Sequence, residues 1–279
     1  MIKACVIGWP ISHSRSPLIH GYWLKKHGID GSYTRQPVEP AALNAFISDL
    51  EDAGYSGCNV TLPHKEKVFQ LIVPADETTA RLGAVNTVFR RAGKTYGTNT
   101  DGEGFVGSLH QSLPGIDLNN ARVVVLGAGG AALAVVSALL DQGVAEVAIA
   151  NRTEEKAREL RTRFGQRIKP VAWNAAADHL AESRLLVNTT SLGMKGQAPL
   201  DLDLSRLDID AVVADIVYTP LQTPLLAQAV ERGNPIVEGL GMLLHQAVRG
   251  FSLWFGVTPE VTGELYDLIA RDIDPDYRR

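Results

Sequence analysis

The chain has 279 residues, of which 45% are hydrophobic, 21% charged and 6% aromatic; 27 basic against 31 acidic residues leave a net charge of −4. This is ample apolar material for buried cores, and it excludes a disordered chain. The slightly acidic balance argues against a dedicated nucleic-acid binder, which gathers Lys and Arg against phosphate. Two cysteines, Cys5 and Cys58, cannot build a disulfide framework or, unaided, a four-ligand zinc site. With the histidines scattered, no metal site is expected. The length suggests about two domains.

The first residues, Met-Ile-Lys-Ala-Cys-Val-Ile-Gly, read as a first strand rather than a secretory leader. Residues 123–140 carry no charge for 18 residues, the nominal length of a membrane span. Their β-branched start, the central Gly127-Ala128-Gly129-Gly130 and the helical pattern after it instead predict a strand, a turn and a buried helix. The expectation is a cytoplasmic chain with no membrane partner.

In chain order, a strand at 3–7 precedes a helix at 17–27 with Leu18, Ile19, Tyr22 and Trp23 along one face. An extended run at 31–38 and a helix at 41–53 follow, then a short strand at 58–61 stopped by Pro63 and a helix at 65–71. Strands at 84–90 and 95–100 flank Ala92-Gly93-Lys94 as a hairpin. Turn formers crowd 112–120 and mark a boundary. Beyond it come strands at 122–126, 146–150, 168–172, 185–189 and 211–217, with helices at 131–142, 154–164 and near 175–181. This alternation predicts an α/β chain with a parallel sheet covered by helices. Two helices, 241–255 and 259–272, close the chain. The first carries Leu243, Leu244, Ala247 and Phe251 on one face and must pack on structure already built.

Gly127-Ala128-Gly129-Gly130-Ala131-Ala132 lies between a predicted strand and helix and fits Gly-x-Gly-x-x-Ala. The first glycine permits a tight turn, the second lets backbone approach a pyrophosphate, and the small last residue lets helix and strand pack closely. Asn151-Arg152-Thr153 follows the next strand, with Lys156 one turn on. A dinucleotide with a free ribose 2′-hydroxyl usually meets a carboxylate there. A guanidinium, a hydroxyl and an ammonium suit a 2′-phosphate, so the cofactor expected is NADP. Thr153 also reads as a helix N-cap.

Polar clusters mark the N-terminal half. Ser14 and Ser16 alternate along Gly8–Pro17, so two hydroxyls can face one carboxylate. Ser16 equally reads as the N-cap of a helix opened by Pro17. Asn59 and Thr61 share a face at a strand end, and Lys65 opens the next helix, where a cation opposes the helix dipole. Ala84-Val85-Asn86-Thr87 and Gly97-Thr98-Asn99-Thr100-Asp101-Gly102 complete the set, with Asp101 where a helix begins.

Together these segments resemble the shikimate dehydrogenase family nearly end to end. The second half adds Asn-Thr-Thr-Ser-x-Gly at 188–193, Asp-x-Val-Tyr-x-Pro-x-x-Thr-Pro-Leu at 215–225 and Gly-x-x-Met-Leu-x-x-Gln-Ala at 239–247. The resemblance implies an N-terminal α/β substrate domain and a Rossmann-like NADP-binding domain with a cleft between them. Residues 1–102 with 239–279 would form the first and 103–238 the second. It implies Lys65 and Asp101 as the catalytic pair. Ser14, Ser16 and Tyr218 would hold the substrate carboxylate side. Thr61, Asn86 and Gln246 would hold or support ring hydroxyls, with Asn59 behind them. Gly127, Ala128, Gly129, Gly130 and Ala131, with Asn151, Arg152, Thr153 and Lys156, would hold cofactor phosphates and ribose. Val217, Gly239 and Met242 would lie near the nicotinamide and Glu77 at the cofactor edge. His64 stands where relatives often carry an aromatic and reads as filling space; His13 reads as ordering the serine loop. The implied activity is NADPH-dependent reduction of 3-dehydroshikimate to shikimate by a monomer or homodimer. The alternatives are a quinate/shikimate dehydrogenase of relaxed cofactor use and a ligand-sensing paralogue without turnover.

Overall fold

The computed structural model describes residues Met1–Arg278. It divides into two compact units, Met1–Thr100 with Gln246–Ile269, and Asp101–His245 with the residues from Ala270 onward.

The first unit holds strands β1 (Ile2–Gly8), β2 (Gly31–Pro37), β3 (Tyr55–Val60), β4 (Val73–Pro74), β5 (Thr87–Arg91) and β6 (Lys94–Thr98). They form one sheet in the order β2-β1-β3-β5-β6-β4. β1 runs parallel to β2 and β3, whereas β5 runs antiparallel to β3 and β6. Ala92 and Gly93, with φ of 50° and 73°, turn the β5–β6 hairpin in the left-handed region that matches strand twist. Helices α1 (Ser16–Lys26), α2 (Leu43–Ser48), α3 (Lys65–Phe69) and α4 (Glu77–Leu82) connect the strands. The helix expected at 41–53 is a 3-10 turn, Pro40–Ala42, followed by the short α2; the chain then turns through Gly54. The strand expected from residue 84 begins at Thr87, because Val85 and Asn86 N–H bond to Lys65 O and Thr98 O instead.

α1 buries Ile19, His20, Trp23 and Leu24 rather than Leu18 and Tyr22. The stripe is rotated toward an aromatic nest: His20 stacks on Tyr33 with centroids 4.0 Å apart and lies near Trp23, Phe251 and Trp254. Phe251 and Trp254 come from the C-terminal segment. Trp254 Nε1 donates to Val88 O at 2.9 Å and lies over Gly57, where a Cβ would fall 2.2 Å from that nitrogen.

The second unit holds α5 (Asp101–Ser112), β7 (Arg122–Leu126), α6 (Gly130–Asp141), β8 (Glu146–Ala150), α7 (Glu154–Phe164), β9 (Ile168–Val171), β10 (Leu185–Asn188), β11 (Val212–Asp215), α8 (Pro224–Arg232) and β12 (Ile236–Val237). Its sheet is parallel throughout, in the order β12-β11-β10-β7-β8-β9. The helix expected near 175–181 is a 3-10 helix, Trp173–His179. α9 (Gly239–Phe255) and α10 (Gly263–Ile273) each run through both units.

Strand side chains alternate between two buried faces, which explains the continuous apolar runs. Val123, Val125, Val147, Ile149 and Val187 pack with Phe105, Leu109, Val135 and Leu139. Val124, Leu126, Ala148, Leu186 and Val213 pack with Leu180, Leu225 and Leu226 on the other side. Each large buried side chain contributes about 1.5–3 kcal/mol. The uncharged stretch at 123–140 is thus β7, a turn and α6. Among the described residues no helix is long and apolar enough to cross a membrane.

Candidate active site

In the second unit the strand order reverses between β7 and β10, and ligands of such sheets bind at the carboxyl ends of the strands at that point. The glycine turn stands there. Gly127 has φ of 102°, and a Cβ on it would lie 2.7 Å from Thr189 Oγ1, so only glycine fits. Gly127 N–H donates to Ala150 O at 2.8 Å, and Ala128 N–H donates to Asn151 Oδ1 at 3.1 Å. Asn151 Nδ2 donates to Thr153 O at 2.7 Å, so one side chain fastens the turn after β7 to the turn after β8. Gly129 and Gly130 differ: a Cβ on either would meet no protein atom within 4 Å. Gly129 caps α6 without a side chain, and Ala131 follows in the first turn. A helix N-terminus with space beside it fits the pyrophosphate of a dinucleotide.

The β8 turn fits a 2′-phosphate. Glu154 and Glu155 are engaged by Arg158 at 2.7 and 2.9 Å. Arg152 and Lys156 are exposed, and their side chains carry no hydrogen bond or ion pair among the described residues. Thr153 is the N-cap of α7, as the sequence allowed, but its side chain makes no capping bond.

Further along, Asp215 ends β11, 2% exposed. It accepts from Asn188 Nδ2 at 3.0 Å, Val217 N at 2.9 Å and Thr223 Oγ1 at 2.7 Å. Burial pushes its carboxyl up to about 6 against the opposing pull of those three donors. The network shapes the loop carrying Val217, Tyr218 and the cis Thr219–Pro220 bond. A Cβ on Gly239 would lie 2.5 Å from Val217 O, so glycine lets α9 start against that loop. Met242, one turn on, is partly buried against the core.

In the first unit the polar clusters also gather at the carboxyl ends of parallel strands. The loop after β1 and the loop after β3 meet through Trp9 N–H to Leu62 O at 3.1 Å and Thr61 N–H to Ile7 O at 3.0 Å. Ser14 Oγ and Ser16 Oγ lie 3.3 Å apart. The N-cap of α1 is Arg15, not Ser16; Ser16 is the first helical residue, which leaves its hydroxyl for other work. Arg35 braces the loop, its Nε and Nη2 donating to Ser14 O at 2.8 and 2.5 Å.

Lys65 opens α3, and its carbonyl accepts from Val85 N–H at 2.9 Å, bringing it beside Asn86 in the fold. His64 is 1% exposed, its Nε2 lying 2.7 Å from Val38 O. A carbonyl only accepts, so Nε2 carries the proton and the ring fills space. Asn59 is consumed by protein partners: Tyr33 Oη at 2.5 Å, Asn86 O at 3.2 Å and Thr87 Oγ1 at 3.1 Å. Asn86 is bound to Thr87 and Thr100, and Thr100 Oγ1 donates to Gln246 O at 2.8 Å, tying α9 to the end of β6. Glu77 is exposed at the start of α4, behind the N-cap Asp76. Asp76 pairs with Arg249 at 3.2 Å; burial raises its carboxyl, but hydrogen bonds from Thr79 and Thr98 with Arg249 bring it below the usual range. Asp101, 9% exposed, is the first residue of α5 rather than a cap before it, and follows the anchored Thr100.

The sequence reading missed Tyr33 and Arg35, and it named Thr87, Thr100 and Thr189 only within motifs, without a role. Each bonds a residue of a neighbouring strand or loop, a relation that spacing along the chain does not carry.

Comparison with known proteins agrees with this geometry. Residues 6–88 match the shikimate dehydrogenase substrate binding domain, 108–194 the shikimate/quinate 5-dehydrogenase domain, and 239–262 the shikimate 5′-dehydrogenase C-terminal domain. A shikimate dehydrogenase (NADP(+)) of Rhodopseudomonas palustris (strain BisB5) is 54% identical over 272 residues, 98% of this chain and 95% of the relative. One from Azorhizobium caulinodans is 51% identical over 273 residues, 98% of this chain and 97% of the relative. Among solved structures, a shikimate dehydrogenase in complex with NADP+ superposes with a TM-score of 0.88 at 31% identity, over 98% and 96% of the two chains. The Thermus thermophilus enzyme with NADP(H) and shikimate gives 0.86 at 34%, over 96% and 99%. A quinate dehydrogenase from Corynebacterium glutamicum with NAD gives 0.87 at 32%, over 96% and 98%. The chain belongs to the shikimate dehydrogenase family.

Proposed function

We propose that this chain catalyses the reversible NADPH-dependent reduction of 3-dehydroshikimate to shikimate, a cytoplasmic step of aromatic amino acid biosynthesis. The reading is carried by the likeness to relatives named NADP(+) shikimate dehydrogenases along nearly the whole chain. The β8 turn supports it: the side chains of Arg152, Thr153 and Lys156 are uncommitted, while the nearby carboxylates are paired with Arg158. An NAD-dependent quinate dehydrogenase would want a carboxylate after Ala150, where Asn151 braces the turn instead.

NADP, when bound, supplies or accepts the hydride. The glycine turn from Gly127 to Ala131 receives its pyrophosphate, and Arg152, Thr153 and Lys156 its 2′-phosphate, with Asn151 fixing the turn. Val217, Gly239 and Met242 shape the nicotinamide side, and Glu77 the cofactor edge. Residues 1–102 with 239–279 chiefly serve the substrate and 103–238 chiefly the cofactor, with Gly239 and Met242 on the nicotinamide and Tyr218 on the substrate. Ser14, Ser16 and Tyr218 grip the carboxylate, while Thr61, Asn86 and Gln246 orient ring hydroxyls. The Lys65 ammonium donates a proton to the substrate oxygen on reduction, and the amine takes it back on oxidation. Asp101 orients the same oxygen.

The catalytic assignment is tested by Lys65→Ala. Turnover should fall by about a hundredfold to ten-thousandfold with folding unchanged, the range of a lost general acid. Near-wild-type turnover in a folded variant would move the role to Asp101 or to water.

A further inference from the structure

β2 is an edge strand of the first unit's sheet, and Tyr33 and Arg35 stand two residues apart on it, on one face. Arg35 pairs in register with Val6, two residues before β1 ends at Gly8, so its side chain reaches the loop that follows β1. There its Nε and Nη2 both donate to Ser14 O, at 2.8 and 2.5 Å. Ser14 N–H donates to Ile11 O at 3.1 Å, so the backbone of Ser14 is held on both sides of its Cα. The Ser14 hydroxyl lies 3.3 Å from both Oγ and N of Ser16. Arg35 makes no other hydrogen bond and no ion pair among the described residues, so no carboxylate of the protein neutralises it.

A substrate carboxylate brings a full negative charge, and serine hydroxyls bring no charge to oppose it. The Ser14 carbonyl, left bare, would set a partial negative charge beside those hydroxyls. Two N–H groups of one guanidinium cover that carbonyl and replace its repulsion with a net positive charge. We infer that Arg35 is a positioning residue that fixes the Ser14 backbone and supplies the positive charge that makes the serine pair selective for a carboxylate over a neutral group. The inference rests on the proposed function, which takes Ser14 and Ser16 as part of the carboxylate grip.

The test compares Arg35→Met with Arg35→Lys, which keeps the charge. Arg35→Met should lower kcat/KM for shikimate about tenfold, through KM, with kcat, the KM for NADP and the melting temperature little changed. Arg35→Lys should lose no more than about threefold, because it gives up only the fork of two donors. Lys25→Met removes a charge in the last turn of α1 and should change nothing. Toward the analogue whose carboxylate is reduced to an alcohol, wild type and Arg35→Met should agree within about twofold. Rising salt should lower kcat/KM for shikimate more steeply in wild type than in Arg35→Met. The inference is overturned by an unchanged shikimate KM in Arg35→Met, by a lysine variant as poor as the methionine one, by parallel salt profiles, or by an equal loss toward the alcohol. If wild type does not oxidise shikimate, the proposed function falls, and binding of cyclohexene carboxylate, followed by NMR through the Ser14 and Ser16 amides, decides the inference. Arg35→Met should then bind that anion at least about threefold more weakly than wild type. Equal affinity, or no binding to either protein, overturns it.

Discussion

Thr189 Oγ1 stands 2.7 Å from the point where a Gly127 side chain would begin, held by the bond it donates to Leu126 O at 2.7 Å. Two residues on, Gly129 has φ of −89°, which any residue adopts, and no protein atom lies within 4 Å of its absent Cβ. The fold requires the first glycine and leaves the second free to serve the proposed pyrophosphate site.

The two should therefore separate in solution. Gly127→Ala combines a left-handed φ with a clash, so it should lose about 2–4 kcal/mol in denaturant unfolding. Gly129→Ala should leave stability unchanged or slightly higher, because alanine restrains the unfolded chain. Its methyl fills the pyrophosphate side of the turn, so NADP affinity should fall at least about tenfold, read by calorimetry. Wild-type NADP affinity in Gly129→Ala would mean that the cofactor does not approach this backbone.

Arg152 should set the choice between cofactors. Charge-assisted hydrogen bonds are worth about 1.5–3 kcal/mol each. Arg152→Asp removes them and places a carboxylate where a free 2′-hydroxyl would be met. The ratio of kcat/KM for NADP over NAD should fall by at least about a hundredfold and reverse. An unchanged ratio would remove Arg152 from the 2′-phosphate site.

His20 should make the protein acid-sensitive. Burial among the rings of Trp23, Tyr33, Phe251 and Trp254 pushes it down from 6.5 to about 3. The folded state resists a proton that the unfolded state takes up below 6.5, so this contribution is complete above that pH and is lost as pH falls toward about 3. The loss runs at roughly 1.4 kcal/mol per pH unit, or about 3 kcal/mol by pH about 4.5. His20→Phe should flatten the fall of melting temperature across that window. An equally steep fall would place the acid-labile group elsewhere.

Much of the second unit is legible in its residues. β7, β8 and α7 fall where the apolar runs and Thr153 put them, because a parallel strand buried on both faces is a continuous β-branched run. α4 and α8 were legible in principle and went unread. Asp76 and Gly83 bound the first; Thr223, Pro224 and Gly233 bound the second, as capping chemistry dictates. Both are short, and α4 has too few turns for periodicity to show. The α1 stripe was misread because its buried face includes His20, a polar residue whose burial depends on Tyr33 from β2 and on Phe251 and Trp254 from α9. The motif residues stood out as polar clusters at strand ends. Their braces, such as Arg35 beneath Ser14 and Thr87 beside Asn59, look like ordinary surface or strand residues until the sheet brings them across.

The central claim is tested most directly by offering the purified chain shikimate or quinate with NADP or NAD and following formation of the reduced nicotinamide. The account predicts that shikimate with NADP has the highest kcat/KM, at least about tenfold above each other pairing, as a single well-placed polar contact secures. A folded protein that turns over none of the four pairs, or one that favours quinate with NAD, would contradict it.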